Sequence, residues 1–120
     1  MTRSRRAAAS VLRGPPGEPT SAVAARVAAA RELAVGRGVR CNAELPAPRL
    51  DELAPLSSGA ARLLEHRLRS GFLSARGLHR VRRVARTIAD LGRAAGPVAE
   101  EHVCLALSLR AELAPAEAAA

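Results

Sequence analysis

At 120 residues the chain has room for one domain, and a domain of this size buries only about two-thirds of the surface its unfolded chain exposes. Its 19 basic residues are all arginine, set against 11 acidic ones for a formal net charge of +8, and without lysine these residues cannot form a Walker A loop, whose lysine holds the β- and γ-phosphates. Autonomous P-loop ATPase activity is thereby excluded, and with Phe72 as the single aromatic, burial falls to Leu, Val and 28 alanines, which predicts an all-α fold of close-packed helices.

Residues 1–17 mix Arg, Ala, Pro and Gly without a sustained period, and are expected to be a disordered linker, at most loosely helical near residues 7–12. Arg5-Arg6 superficially resembles a twin-arginine signal, but Arg13, Pro15 and Pro16 break the apolar run that should follow. The predicted domain occupies residues 18–113. Its first helix starts at Thr20 or Ser21 as cap, turns Val23, Val27, Ala30 and Ala34 inward, and stops at Gly36 and Gly38. Residues 39–56 carry Pro46, Pro48 and Pro55 and read as a connector with one short turn near residues 48–53. So long a loop is expected to pack across the bundle through Leu45, Leu50, Leu53 and Leu56.

Ser57 or Ser58 caps a second helix with Ala61, Leu64 and Leu68 as its inward stripe and Gly71 as its stop. The chain is organised around the third, LSARGLHRVRRVARTIADL at residues 73–91, capped by Ser74 and ended by Gly92 in the left-handed conformation. Leu78, Val81, Ala85, Ile88 and Leu91 form its apolar face. Arg76, Arg80, Arg83 and Arg86 are expected to project from the other side. Arg76 falls in the first turn, where free amides and the positive end of the helix dipole favour an anion. A last helix covers residues 98–109, with Val103, Ala106, Leu107 and Leu109 inward, a Val98/Val103 staple, Glu100 and Glu101 at its positive end, and Ala99 as a poor cap. Residues 114–120 are expected to be a flexible tail.

The segment LSARGLHRVRRVARTIADL, followed by EHVCLALSLR and preceded by GEPTSAVAARVAAAR and CNAEL, resembles the C-terminal helical lid of the YifB/ComM group of magnesium-chelatase-like AAA+ ATPases over about residues 17–110. Four motifs occur in the family's order. The resemblance implies a bundle of four principal helices that closes over ATP and Mg²⁺ held by a separate P-loop domain or subunit, as part of a ring oligomer. It also implies that residues 1–17 are the exit from that domain. The S-A-R triplet resembles the sensor-2 position, so Arg76 is the residue implied to reach the γ-phosphate, with Ser74 capping its helix. Arg82 stands where the family usually has an aliphatic residue. The chain by itself is then no enzyme and binds no cofactor alone.

Two other readings stand beside this one. Arg80, Arg82, Arg83 and Arg86 could track a nucleic-acid backbone and gain from counterion release. No aromatic platform accompanies them, however, and the plain alternative is a solvated face on which Arg86 pairs with Asp90 at i,i+4. The chain could also be a non-functional gene fragment. His66, His79 and His102 lack the i,i+4 spacing of zinc helices, so no metal site is expected, and no motif frames a catalytic nucleophile. Cys41 and Cys104 stand alone with no C-x-x-C, which points to free thiols in the cytoplasm. The longest apolar run, residues 103–107, falls far short of the roughly 20 needed to span a bilayer.

Overall fold

A computed structural model describes residues 17–113, so the expectations for residues 1–16 and 114–120 lie outside the described residues. The all-α prediction holds: the described residues form α1 (Thr20–Gly36), two 3-10 turns (Asn42–Glu44 and Ala47–Arg49), α2 (Leu50–Leu53), α3 (Ser58–Arg69), α4 (Ala75–Leu91) and α5 (Glu100–Leu113), with no strand. α4 is the hub, packing on α5, on α1, on the connector turns and on α3.

Each helix end has an identifiable cause. α1 begins on Pro19 as N-cap, without a side-chain cap, so neither Thr20 nor Ser21 does the capping expected of them. Pro19 cannot donate a backbone hydrogen bond and its ring sets the extended entry, while Glu18 grips Arg26 with two hydrogen bonds of 2.6 and 2.9 Å across the first turns. Gly38, at φ +90°, ends α1: its amide bonds the Val35 carbonyl and the Val39 amide bonds the Ala34 carbonyl, the paired closure of a Schellman turn. Ser57 caps α3 through the Ala60 amide and Ser74 caps α4 through the Gly77 amide, at 3.1 and 3.0 Å. At Ala99 the cap comes from further along. His102 Nδ1 accepts from the Ala99 amide at 2.9 Å, the reciprocal half of a capping box, so a histidine takes the place usual for glutamate.

The end of α4 corrects an expectation. Gly92 keeps a right-handed φ of −84°, and Arg93 takes the left-handed φ of +58°. The closing bonds explain the shift, because the Arg93 amide goes to the Asp90 carbonyl and the Ala94 amide to the Ala89 carbonyl, which places the reversal one residue later. Arg86 then holds the carbonyls of Ala94 and Gly96 at 2.9 and 3.1 Å, fixing the turn around a residue that pays for its backbone in strain.

Two apolar clusters make the core. The larger joins Ala60, Leu64, Leu73, Val81, Ala85, Ile88, Val98, Val103, Ala106 and Leu109 from α3, α4 and α5. Val98 and Val103 lie in it together, as the expected staple requires. Leu107 is half-buried against it, as are Leu56 and Leu78. The smaller cluster is Leu45, Leu50 and Ala54 with Leu53 and Val39 against it, so the connector does pack across the bundle. A single parallel bridge between Leu56 and Val98 ties the start of α3 to that of α5. In α3 the buried stripe is Ala60 and Leu64, not Ala61 and Leu68: Ala61 is half-buried and Leu68 is 40% exposed at the turn out of the helix. In α1 only Ala30 and Ala34 are fully buried, with Val23 and Val27 half-buried.

Candidate functional site

Helix α4 and its Ser74 cap carry every sequence-predicted site residue, and the fold sends the arginines among them to three different environments. Arg76 and Arg80 are exposed at its amino-terminal end. Arg83 is half-buried and donates from Nε to the Leu45 carbonyl at 2.8 Å, which pins the connector. Arg82 and Arg86 are buried, and this corrects the projecting row of guanidiniums expected from the sequence.

The physical reason is that α4 is enclosed on more than one side, so the positions flanking its apolar stripe are inside as well. Arg82 reaches under α2, where Nη2 takes the carbonyls of Leu50 and Ala54 at 3.2 and 3.1 Å and Nη1 meets Asp51 at 2.7 Å. It thus adds a second donor to the Leu50 carbonyl, which the Ala54 amide already bonds at 2.8 Å, and supplies one to the Ala54 carbonyl at the end of the helix. Asp51 is 93% exposed, so the carbonyl contacts fix Arg82 more than the ion pair does. The Arg82 Nε is buried without a hydrogen-bond partner among the described residues, a cost that an aliphatic side chain there would not carry.

Arg86 belongs to a buried network whose centre is Asp90. The Asp90 carboxylate, with a side chain only 1% exposed, accepts two bonds from Arg37 at 2.7 and 2.8 Å, one from Asn42 Nδ2 at 2.9 Å and one from Arg86 Nε at 3.1 Å. Asn42 in turn accepts from Arg37 and donates to Thr87 Oγ1. The end of α1, the first connector turn, α4 and the α4–α5 turn are thereby joined through one carboxylate. Burial pushes the Asp90 carboxyl up, but the hydrogen bonds from Arg37 and Asn42 and the charges of Arg86 and Arg37 outweigh it and hold the group below the usual aspartate value. The Arg86 guanidinium is lowered by its own burial, only partly offset by Asp90. The expected i,i+4 pair of Arg86 and Asp90 exists, but in the interior. Sequence reasoning overlooked Arg37 and Asn42; the available signal was the CNAEL segment, an asparagine set among apolar residues just after a helix stop.

The amino-terminal end of α4 has different chemistry. Ser74 occupies the Gly77 amide, which leaves the amides of Ala75 and Arg76 without intrahelical acceptors. The first turn holds no acidic residue, so the positive end of the helix is not neutralised from its own sequence. Arg76 stands exposed in that turn. Leu73, buried just before the cap, anchors the turn in the core, and the Arg110 guanidinium from α5 lies over Gly77. Free amides, a dipole end and an exposed guanidinium suit a phosphate oxygen. Cys41 and Cys104 are free and exposed, and among the described residues no three His, Cys, Asp or Glu side chains gather as a metal site would need. No helix is long and apolar enough to cross a membrane, among the residues described.

Residues 17–110 match the family model described as magnesium chelatase, subunit ChlI C-terminal. The chain is 45% identical over 98 residues to the uncharacterized protein Rv2897c of Mycobacterium tuberculosis, covering 78% of this chain and 19% of that protein. It is 38% identical over 96 residues to YifB of Escherichia coli, covering 80% of this chain and 19% of YifB. With the competence protein ComM of Haemophilus influenzae the identity is 34% over 98 residues, covering 82% and 19%. The chain therefore spans about a fifth of the length of the curated relatives it matches. No solved structure matches it. The same stretch that builds the helical bundle, from the entry to α1 to Arg110 near the end of α5, is the stretch the family model covers: the chain belongs to the magnesium chelatase ChlI C-terminal family, in the YifB/ComM magnesium-chelatase-like group.

Proposed function

We propose that this domain is the lid of a magnesium-chelatase-like AAA+ ATPase and that it supplies Arg76 as the sensor-2 arginine to ATP held on a separate P-loop domain or subunit, in the cytoplasm. The supporting observation is the placement of Arg76: exposed, in the acid-free first turn of α4, on a helix whose opposite end is locked into the core by the Asp90 network. A guanidinium so mounted is preorganised for developing negative charge, because its helix cannot shift without breaking buried bonds. The magnesium held with the nucleotide by the P-loop partner neutralises charge on the phosphates. The chain's own part is to present one cation and two amides to the terminal phosphate, and to carry subunit motion through a stiff bundle.

Nucleic acid is then an indirect partner, met through the parent ATPase. The direct-binding reading is weakened because Arg82 and Arg86 are committed to buried carbonyls and to Asp90. The test is addition in trans. The chain alone should hydrolyse no ATP, and titrated into the nucleotide-binding region of a relative such as YifB, truncated before the matched segment, it should raise ATP turnover saturably. A truncated ATPase that ignores the added chain would remove the proposal.

A further inference from the structure

Helix α3 and helix α4 begin alike, each with a serine cap and a glycine in the first turn, yet opposite charges lie over the two glycines. A Cβ on Gly59 would come within 2.8 Å of Glu100 Oε1, so α3 meets a carboxylate at its positive end, as the helix dipole favours. A Cβ on Gly77 would stand 3.5 Å from Arg110 Nη2, so α4 meets a second guanidinium where Arg76 already is one. Arg110 is half-buried beside the Leu73 side chain that also closes on Gly77, and among the described residues no carboxylate or carbonyl bonds it. Its own helix favours a cation in the last turn, where Arg110 is the basic residue. That accounts for an arginine at this position, but not for its reaching across to the positive end of α4, where it adds like charge to Arg76 with no acid in the turn to offset either.

From this juxtaposition we infer that Arg110 is a second phosphate-contacting residue, so that the terminal phosphates are held between two guanidiniums, Arg76 from the first turn of α4 and Arg110 from the last turn of α5. This rests on the assignment of Arg76 made above and extends it to a residue on another helix. Gly77 marks where Arg110 lies without being required to admit it: its φ is not left-handed, and an added Cβ would meet Arg110 at ordinary contact distance and come closest to the Ser74 Oγ cap, at 3.3 Å.

The test uses the whole chain and tripolyphosphate as probe, following the backbone amide signals of Ala75, Arg76 and Gly77 by NMR. The signals should shift saturably, and Arg110→Ala should weaken binding about tenfold, the scale of one charge-assisted contact. Arg110→Lys should recover part of the loss, which a packing defect would not. Arg110→Gln, which keeps a long polar side chain but removes the charge, should weaken binding by a similar factor, and it carries the test if Arg110→Ala does not fold. If Arg76→Ala weakens binding while Arg110→Ala and Arg110→Gln bind like the parent chain, the role of Arg110 is overturned and the assignment of Arg76 stands. If no saturable shift occurs at residues 75–77, or neither arginine matters, both are overturned.

Discussion

Asp90 is the residue whose removal should cost this domain most. Replacing it with alanine leaves Arg86, whose side chain is 4% exposed, facing Arg37 with no carboxylate between them, and strips the Asn42 amide of one acceptor. Truncating one partner of a buried ion pair costs roughly 3–5 kcal/mol because a desolvated charge is left unpaired. A domain of this size holds only about 5–15 kcal/mol in total, so the variant should keep half or less of its stability at the lower end of that range. The exposed pair of Arg69 and Glu65 provides the contrast, and Glu65→Ala should change stability by no more than about 0.5 kcal/mol. Urea denaturation followed by circular dichroism measures both.

The pH dependence carries the same logic. Because the folded state holds the Asp90 carboxyl below its ordinary value, the unfolded chain takes up this proton first as pH falls. The stabilisation is therefore complete at neutral pH and is lost as pH drops through the folded-state value, so Asp90→Asn should show a flatter acid limb. Asp90→Ala within 1 kcal/mol of the parent, or an acid limb unchanged by Asp90→Asn, would refute the network as the anchor of the bundle.

Core burial predicts that Ile88→Ala costs about 2–5 kcal/mol through lost contacts and a cavity. Leu68→Ala should cost well under 1 kcal/mol, as is usual for a surface position away from special features. Thermal melts distinguish the two, and equal costs would contradict the assignment of the α3 face. Arg93→Gly should stabilise by about 0.5–1 kcal/mol, since glycine relieves the left-handed strain but adds freedom to the unfolded chain; a loss of stability would mean the Arg93 side chain has an unrecognised role. Ser74→Ala should cost about 1 kcal/mol by freeing the Gly77 amide, and hydrogen exchange at that amide should speed up.

Much of the bundle was legible because local rules wrote it. The serines at 57 and 74 cap as their positions suggest, Gly71 takes the left-handed turn, and the three- and four-residue spacing of Val81, Ala85, Ile88 and Leu91 picks out the buried side of α4. The interior polar chemistry was not legible in the same way. Periodicity assigns arginine to the surface, and nothing local says that α4 will be covered on several sides, so Arg82 and Arg86 read as a cationic row when each is spent on backbone carbonyls of another segment. The partners that settle the matter are distant in sequence, Arg37 lying 53 residues from Asp90 and Asn42 lying 48. Arg93 was missed for a related reason: glycine is the usual left-handed residue, but the register of the closing bonds, held by Arg86, passes that conformation to the next position.

The assignment of Arg76 is the central claim, and one comparison tests it most directly. With the nucleotide-binding region of YifB or another relative supplied in trans or by fusion, ATP turnover and melting temperature are measured for the parent chain, Arg76→Ala and Arg93→Gly. The last removes a charge at the far end of α4, about 25 Å away at 1.5 Å per residue. Loss of one preorganised electrostatic stabiliser predicts that Arg76→Ala lowers turnover roughly ten- to a thousandfold with its melting temperature nearly unchanged, while Arg93→Gly keeps parental turnover. Equal turnover in all three, or equal losses in both variants, would contradict a sensor role for Arg76.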